Sequence, residues 1–544
     1  MNNEDRIEYL PARDWRDNAD VEGLTELFKT SAGTQTLRPI QAAALQEAID
    51  CKGLFLHGRV GCGKTLISGL LATALGAKRP LVLVPGADVR KAERDYAELR
   101  LHWKIPRTIR IKSYSFISRS ENDGWLERNP SDCIIADEGH RLKDIEKGSC
   151  ARKVMRYLQK NPKVMFCVMS GTLSPHGDLN DYAHLMIAAL RKRAPIPLDP
   201  RGIKQWARAI EGSGDSRKLL GARSPSDAQE RFKKRVASAK GCIISDDTFN
   251  DVPLHFSITQ HDACESTRQA YQDLKSMWTC PDGWTLEEEA GQFGVAAISR
   301  QLGNGFYYRH EPRPPEWFLA RRRAWTKLCR TQIEQGSFDS PGAIKNAIRD
   351  GRLRKGEQIL ASWEEAEQSF PMKHVAEWFN GDALQYSIDW ARKNRNGLIW
   401  VQHIEFGEAL EKIGGIKFYR GQAGRDVQRE DHKGQTVCVS IQANYTSKNL
   451  QHQFHRNLIV DPPANGIYTE QLLGRTHREG QDKPVYAEFY CTCLENYNAV
   501  RNSIAAADRI EGTLSPQKMT SFKLPRVHDQ DHPAWLRPQK LEDL

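Results

Sequence analysis

The chain has 544 residues, 39% hydrophobic and 27% charged, which is enough apolar material for several cores and excludes wholesale disorder. It contains no apolar run of about 18 residues, so no membrane-spanning helix is expected. Lys and Arg outnumber Asp and Glu by 79 to 69, a net charge of +10 that permits a phosphate-rich partner without demanding one.

The length predicts three to four domains. Residues 1–30 are polar, begin without the apolar run of an export signal, and read as an N-terminal extension of a cytoplasmic protein. From residue 37 short apolar runs alternate with amphipathic stretches. The runs are 54–57, 81–84, 109–112, 133–136 and 164–169. Short buried runs separated by helices predict an α/β fold with a parallel sheet. The rhythm stops near residue 190, and a helical segment follows to 250. Residues 251–380 read as a mostly helical insertion rich in Trp and Arg. The rhythm returns at 398–401, 416–419, 436–441, 458–460 and 485–490, which predicts a second lobe over 381–505. The proline-bearing stretch 506–544 reads as an extended tail.

Twelve cysteines are scattered without a C-x-x-C pair, so reduced, mostly buried thiols are expected rather than disulfides. His261, Cys264 and Cys280 lack the close spacing of a structural zinc site.

Gly58-Arg-Val-Gly61-Cys-Gly63-Lys64-Thr65 follows one predicted strand and precedes a predicted helix. Glycines there let backbone N–H groups curl around phosphates, and the helix N-terminus adds partial positive charge. Lys64 is expected to reach the β- and γ-phosphates of ATP, and Thr65 to hold Mg²⁺. Asp137-Glu138 ends an apolar strand. Asp137 is the second expected Mg²⁺ ligand, and Glu138 is positioned to orient or deprotonate the attacking water. Gln41 offers an amide to an adenine edge, or is an ordinary surface glutamine on a helix.

Together, Leu37-Arg-Pro-Ile-Gln41, residues 58–65, Asp137-Glu138-Gly139-His140 and Ser170-Gly171-Thr172 resemble the first-lobe motifs of superfamily 2 helicases and translocases. Gln471-Leu-Leu-Gly-Arg475-Thr-His-Arg478-Glu-Gly-Gln481 resembles the last motif of the Swi/Snf-type branch. Residues 300–306 resemble the segment leading out of that branch's inter-lobe region. Residues 446–450 match its fifth motif without the usual glycines. Gly139 stands where many such proteins carry Ala; both are small, and little effect is expected.

The resemblance implies two RecA-like lobes with ATP bound between them. It also implies that His140 couples hydrolysis to lobe movement through Ser170 or Thr172. Gln471, Arg475 and Arg478, at i, i+4 and i+7, would share one helix face, as an arginine finger requires. DNA is implied across the ends of the strands, at Pro85, Arg90, Ser113 and Tyr114 in the first lobe and at Gln402, Arg420 and Arg425 in the second. Duplex is favoured over single-stranded DNA. Residues 300–330 interleave Arg with aromatics, which suits either a stacking groove or a helix with core aromatics and solvated arginines.

The expected activity is that of a DNA-dependent ATPase translocating on DNA as a monomer, in a prokaryotic cell or as a viral protein in the host cytoplasm. A strand-separating DNA or RNA helicase shares every motif. A packaging ATPase without a second-lobe finger, and a DNA-binding module that uses ATP only structurally, are the rivals from other classes.

Overall fold

A computed structural model of the protein describes residues 3–522 except 18, 59–60, 144, 146–147, 172–177, 246–251, 262, 282, 284–290, 335–340, 371–372, 422–425, 446–447 and 515–517. The described residues fall into two compact units, one within 1–247, 316–369 and 509–516, the other within 248–315, 370–508 and 517–544. The fold is α/β, with a six-stranded parallel sheet in each RecA-like unit. Among the described residues no helix is long and apolar enough to cross a membrane.

The first sheet contains β1 (Gly53–His57), β2 (Pro80–Val84), β3 (Arg110–Ser113), β4 (Cys133–Asp137), β5 (Met165–Ser170) and β6 (Cys242–Ile244). Their order across the sheet is β3-β2-β4-β5-β1-β6, and every pairing is parallel. β1 and β2 are buried along their whole length, as a sheet covered on both faces requires. Because all six strands run the same way, the loops after β1, β2, β3, β4 and β5 leave from one edge, where ligands of open parallel sheets bind.

The second sheet contains β7 (Leu254–Gln260), then, after the antiparallel pair β8 (Phe306–Glu311) and β9 (Lys373–Trp378), the strands β10 (Gly397–Val401), β11 (Phe418–Tyr419), β12 (Val437–Ser440), β13 (Arg456–Ile459) and β14 (Val485–Cys491). Its order is β11-β12-β10-β13-β14-β7.

All ten predicted strand runs are strands. The domain boundaries differ from expectation in three places. β7 opens the second sheet inside the stretch read as helical insertion. It is an edge strand whose Leu254, Phe256 and Ile258 pack on the core while the intervening residues face solvent, so no continuous apolar run marks it. Within that stretch, the helices Glu316–Glu334, Pro341–Arg349 and Glu357–Ser369 cluster with the first unit.

The N-terminal extension is part of the first unit's core. Ile7, Trp15, Leu24 and Phe28 are buried, and Arg13 pairs with Glu47 at 2.6 Å while donating to the carbonyls of Ala237 and Cys242. The described part of the tail is not extended. Helix Leu494–Thr513 runs into it, and Met519 is fully buried in the second unit's core.

Candidate nucleotide site

Gly58–Lys64 leaves the buried end of β1 and enters the helix Lys64–Ala74. Gly61 and Gly63 adopt φ of +100° and +83°, which a side chain disfavours and which turns successive N–H groups inward. A Cβ on residue 63 would collide with the amide of Gln41 and displace that side chain, in addition to the conformational strain. Gln41 is buried against the loop. Its Oε1 accepts from the Arg38 backbone N–H at 2.9 Å, closing the first turn of the helix Pro39–Cys51. Arg38 Nη1 donates to the Gly61 carbonyl at 2.9 Å. Arg38 therefore joins the site, although its type and position signalled no role in the sequence. Lys64 Nζ lies 2.9 Å from the Gly58 carbonyl, folded over the loop it serves.

β5 lies between β1 and β4, so its last residue, Ser170, stands between the glycine loop and the acidic pair. The Gly58 N–H donates to the Ser170 carbonyl at 3.1 Å. Ser170 Oγ donates to Glu138 Oε2 at 3.0 Å, and His140 Nδ1 lies 3.1 Å from Ser170 Oγ and 3.2 Å from Glu138 Oε2. The three groups close a triangle. Glu138 sits at φ 55°, ψ 50°, a left-handed conformation uncommon for glutamate. Thr172, the alternative partner of His140, lies outside the described residues.

Burial, and then the charge of Glu138, push the Asp137 carboxyl well above the usual carboxylate range, with Lys64 opposing only in part. Burial would raise Glu138 too, but the His140 hydrogen bond, the Lys64 charge and the Ser170 hydroxyl outweigh it and hold Glu138 low. Glu138 is therefore ionised and oriented, whereas ionised Asp137 would be relieved by a cation. Thr65, in the first turn of the helix that begins at Lys64, carries a further oxygen of the kind suited to Mg²⁺. The glycine cradle, the lysine and this donor set fit a Mg²⁺-bound nucleoside triphosphate.

Gly139 carries more constraint than its size suggested. A Cβ there would fall inside the van der Waals envelope of the Val168 side chain on β5. Ala at this position is not the neutral exchange expected.

In the second unit, the helix Gly466–Thr476 carries Gln471 and Arg475, both buried. Arg478 lies two residues beyond its end, so the expected single helix face is not what unites these residues. Arg475 Nε donates to the Gln471 carbonyl at 3.0 Å, and its Nη1 to the Lys448 carbonyl at 3.2 Å. Arg478 Nη1 reaches the same carbonyl at 3.5 Å and Asn449 Oδ1 at 2.5 Å. The helix ends early because the chain turns, with the buried Gln481 amide donating to the carbonyls of Gln451, Phe454 and Thr476.

Of the residues expected on a nucleic-acid track, Pro85 follows β2 and Arg90 is exposed on the helix Val89–Leu99. Ser113 ends β3, and its Oγ is engaged as a cap, accepting from the Phe116 N–H at 3.0 Å. Tyr114 departs from expectation. Its ring is buried and its hydroxyl donates to the Asp137 carbonyl at 2.5 Å, because the first turn of the helix Tyr114–Ser118 directs it into the core. Gln402 is exposed after β10. Arg420, after β11, is paired with Glu408, and Arg425 lies outside the described residues.

The Arg-aromatic stretch 300–330 resolves largely into core and ion pairs. Phe306, Tyr307, Phe318 and Trp325 are buried, while Arg300, Arg309 and Arg321 pair with Asp461, Glu377 and Glu365. Trp317, 44% exposed, is the exception, with the Arg321 guanidinium 5.3 Å from its ring. The described residues contain no cluster of three His, Cys, Asp or Glu able to hold a metal, and Cys264 instead contacts the hydroxyls of Ser266 and Thr267.

A scan of the chain against protein-family models found no match, and a search of curated proteins found none either.

Proposed function

We propose that this protein is an ATP hydrolase of the superfamily 2, Swi/Snf-like kind, a monomeric motor that couples hydrolysis to movement along DNA, with duplex as the favoured track. The observation that carries this reading is the Glu138–His140–Ser170 triangle beside a glycine cradle with two positive-φ glycines. A structural ATP site needs the cradle but has no use for a held, ionised carboxylate one residue from the cation-binding aspartate.

In this reading the backbone N–H groups of the cradle and Lys64 hold the phosphates, and Gln41 meets the base. Thr65 and Asp137 would hold Mg²⁺, which would neutralise phosphoryl charge. Glu138 takes the proton of the attacking water, while His140 and Ser170 keep its carboxylate oriented. Arg478 supplies guanidinium charge to the transition state, supported by Arg475, which the Gln471 carbonyl braces. Pro85, Arg90 and Gln402 line the DNA path. A second parallel sheet carrying its own arginine motif supports a two-lobe motor over a packaging ATPase with one nucleotide lobe. Twelve free cysteines, ten of them buried, suit a reducing cytoplasm.

The test is the rate of ATP hydrolysis with no nucleic acid, single-stranded DNA, duplex DNA and RNA. Stimulation greatest with duplex DNA supports the proposal. Triplex displacement without duplex unwinding separates a translocase from a strand-separating helicase. Equal rates in all four conditions, or no hydrolysis beyond that of the Lys64→Ala control, would falsify it.

A further inference from the structure

Two tyrosines of the first unit have hydroxyl groups that the proposed chemistry does not use. Tyr96 lies on the helix Val89–Leu99, which follows β2 and carries Arg90. It is fully buried, and its hydroxyl is 2.7 Å from Ser68 Oγ. Ser68 Oγ in turn donates to the Thr65 carbonyl at 2.8 Å. That assignment uses the single Ser68 proton, so the Tyr96 hydroxyl is the donor to Ser68. Tyr114 opens the helix that follows β3, and its hydroxyl donates to the Asp137 carbonyl at 2.5 Å. The turn after β2 that leads into the Tyr96 helix also approaches the Tyr114 helix, since a Cβ on Gly86 would lie 3.4 Å from Ser115 Oγ.

Each element at the β2 and β3 ends thus sends one buried hydroxyl to the backbone of an expected Mg²⁺ ligand, Thr65 by way of Ser68 and Asp137 directly. Neither bond is needed for core packing, because phenylalanine would fill the same volume. A phenol in an otherwise apolar core is retained where its hydrogen bond specifies an arrangement.

We propose that Tyr96 and Tyr114 are positioning residues that transmit occupancy of the nucleic-acid track to the two metal-holding residues. This deepens the reading above and rests on it. Displacement of the helix that carries Arg90 by a bound backbone moves the Tyr96 hydroxyl and, through the turn at Gly86, the helix of Tyr114, and with them the Thr65 and Asp137 backbone. Coupling of this kind is a free energy shared between two sites, so the same residues also transmit nucleotide state to nucleic-acid affinity.

The experiment measures ATP hydrolysis with and without saturating duplex DNA, together with DNA affinity by fluorescence anisotropy with and without nucleotide. It compares the full-length protein with Tyr96→Phe, Tyr114→Phe, Ser68→Ala and Ser68→Ala/Tyr96→Phe. Each Tyr variant is expected to lose about fivefold of the stimulation by DNA while nucleotide-free DNA affinity stays within about twofold. Ser68→Ala breaks the Tyr96 bond from the other side and should reproduce that loss. The double variant should lose no more than either single one, since all three break the same Tyr96–Ser68–Thr65 relay. Undiminished stimulation in every variant overturns the proposal and leaves the motor reading intact. Losses that add in the double variant, or that track a fall in nucleotide-free DNA affinity, also overturn it, because they mark ordinary structural roles. An unaltered protein that no nucleic acid stimulates defeats the motor reading itself.

Discussion

Arg475 and Arg478 meet on one oxygen, the backbone carbonyl of Lys448, at 3.2 and 3.5 Å, although only Arg475 belongs to the helix Gly466–Thr476. Arg475 is buried and braced by the Gln471 carbonyl, whereas Arg478 is partly exposed. The pair therefore divides into a supporting guanidinium and a presented one.

The two arginines should separate in mutagenesis. We expect Arg475→Ala to cost about 1–3 kcal/mol of stability, by removing the hydrogen bonds its buried guanidinium makes to the Gln471 and Lys448 carbonyls, and to abolish hydrolysis. Arg478→Ala should lower the hydrolysis rate about 10³-fold or more with a smaller change in stability. Thermal melts and steady-state rates check both, and an Arg478→Ala protein that hydrolyses ATP at full rate would remove it from the chemistry.

Glu138→Gln should retain nucleotide binding and lose roughly 10²–10⁴-fold in rate, because an amide cannot take the proton. Ser170→Ala should lower the rate by a smaller factor, since His140 still holds Glu138 through its 3.2 Å contact. Nucleotide affinity by calorimetry alongside the rate distinguishes loss of chemistry from loss of binding.

Gly139→Ala is expected to destabilise the first unit by about 1–3 kcal/mol, because its Cβ has no room beside Val168. Val168→Ala removes the obstructing methyls, so the double variant should recover part of the loss. If Gly139→Ala melts with the parent protein, the backbone relaxes freely there.

Acid should act on the second unit through Asp461. Burial would raise this carboxyl, but the Arg300 ion pair, at 2.5 Å, and the His403 hydrogen bond outweigh it and hold it below its ordinary value. A depressed folded value contributes stability that is full above the unfolded value, about 3.9, and is lost as pH falls through the folded one. In Arg300→Gln the buried carboxyl loses that partner and its value rises, so the sign reverses. The melting-temperature gap between parent and variant should therefore be wide at pH 7 and narrow toward pH 3. A gap independent of pH would show that the ion pair does not set the titration.

Glu470 ties the second unit's arginine helix to the chain after it. Its carboxylate accepts from the N–H groups of Lys518 and Met519 at 3.0 and 2.7 Å, next to the buried Met519 side chain. Met519→Ala should cost about 2–5 kcal/mol, and Glu470→Ala about 1–3 kcal/mol. Chemical denaturation measures both, and a neutral Met519→Ala would mean the segment does not stay docked in solution.

The strands of both sheets, the glycine loop and the acid pair were legible in the sequence because each is a contiguous pattern. A buried parallel strand reads as a short apolar run, and a phosphate loop must fit its glycines, lysine and hydroxyl into eight residues. The antiparallel pair β8 and β9 lies unmarked within the stretch read as helical, and within the two six-stranded sheets two strands escaped for reasons of the same kind. β6 is three residues long, and β7 alternates because it lies at an edge. The spacing of Gln471, Arg475 and Arg478 implied one helix face, but the helix ends at Thr476, before the last of them.

The sequence by itself determined the α/β class, the strand-loop-helix that can hold a phosphate and the carboxylates at the end of another strand, since these follow from local periodicity and from chemistry carried by neighbouring residues. Only the tertiary structure decided that β5 separates β1 from β4 and so brings Ser170 to Glu138 and His140. It alone laid Gln41 over Gly63, turned Tyr114 inward to Asp137 and joined Arg475 with Arg478 on one carbonyl. Such contacts join residues tens of positions apart. Strand order and buried hydrogen bonding set them, and no local pattern of side chains encodes either.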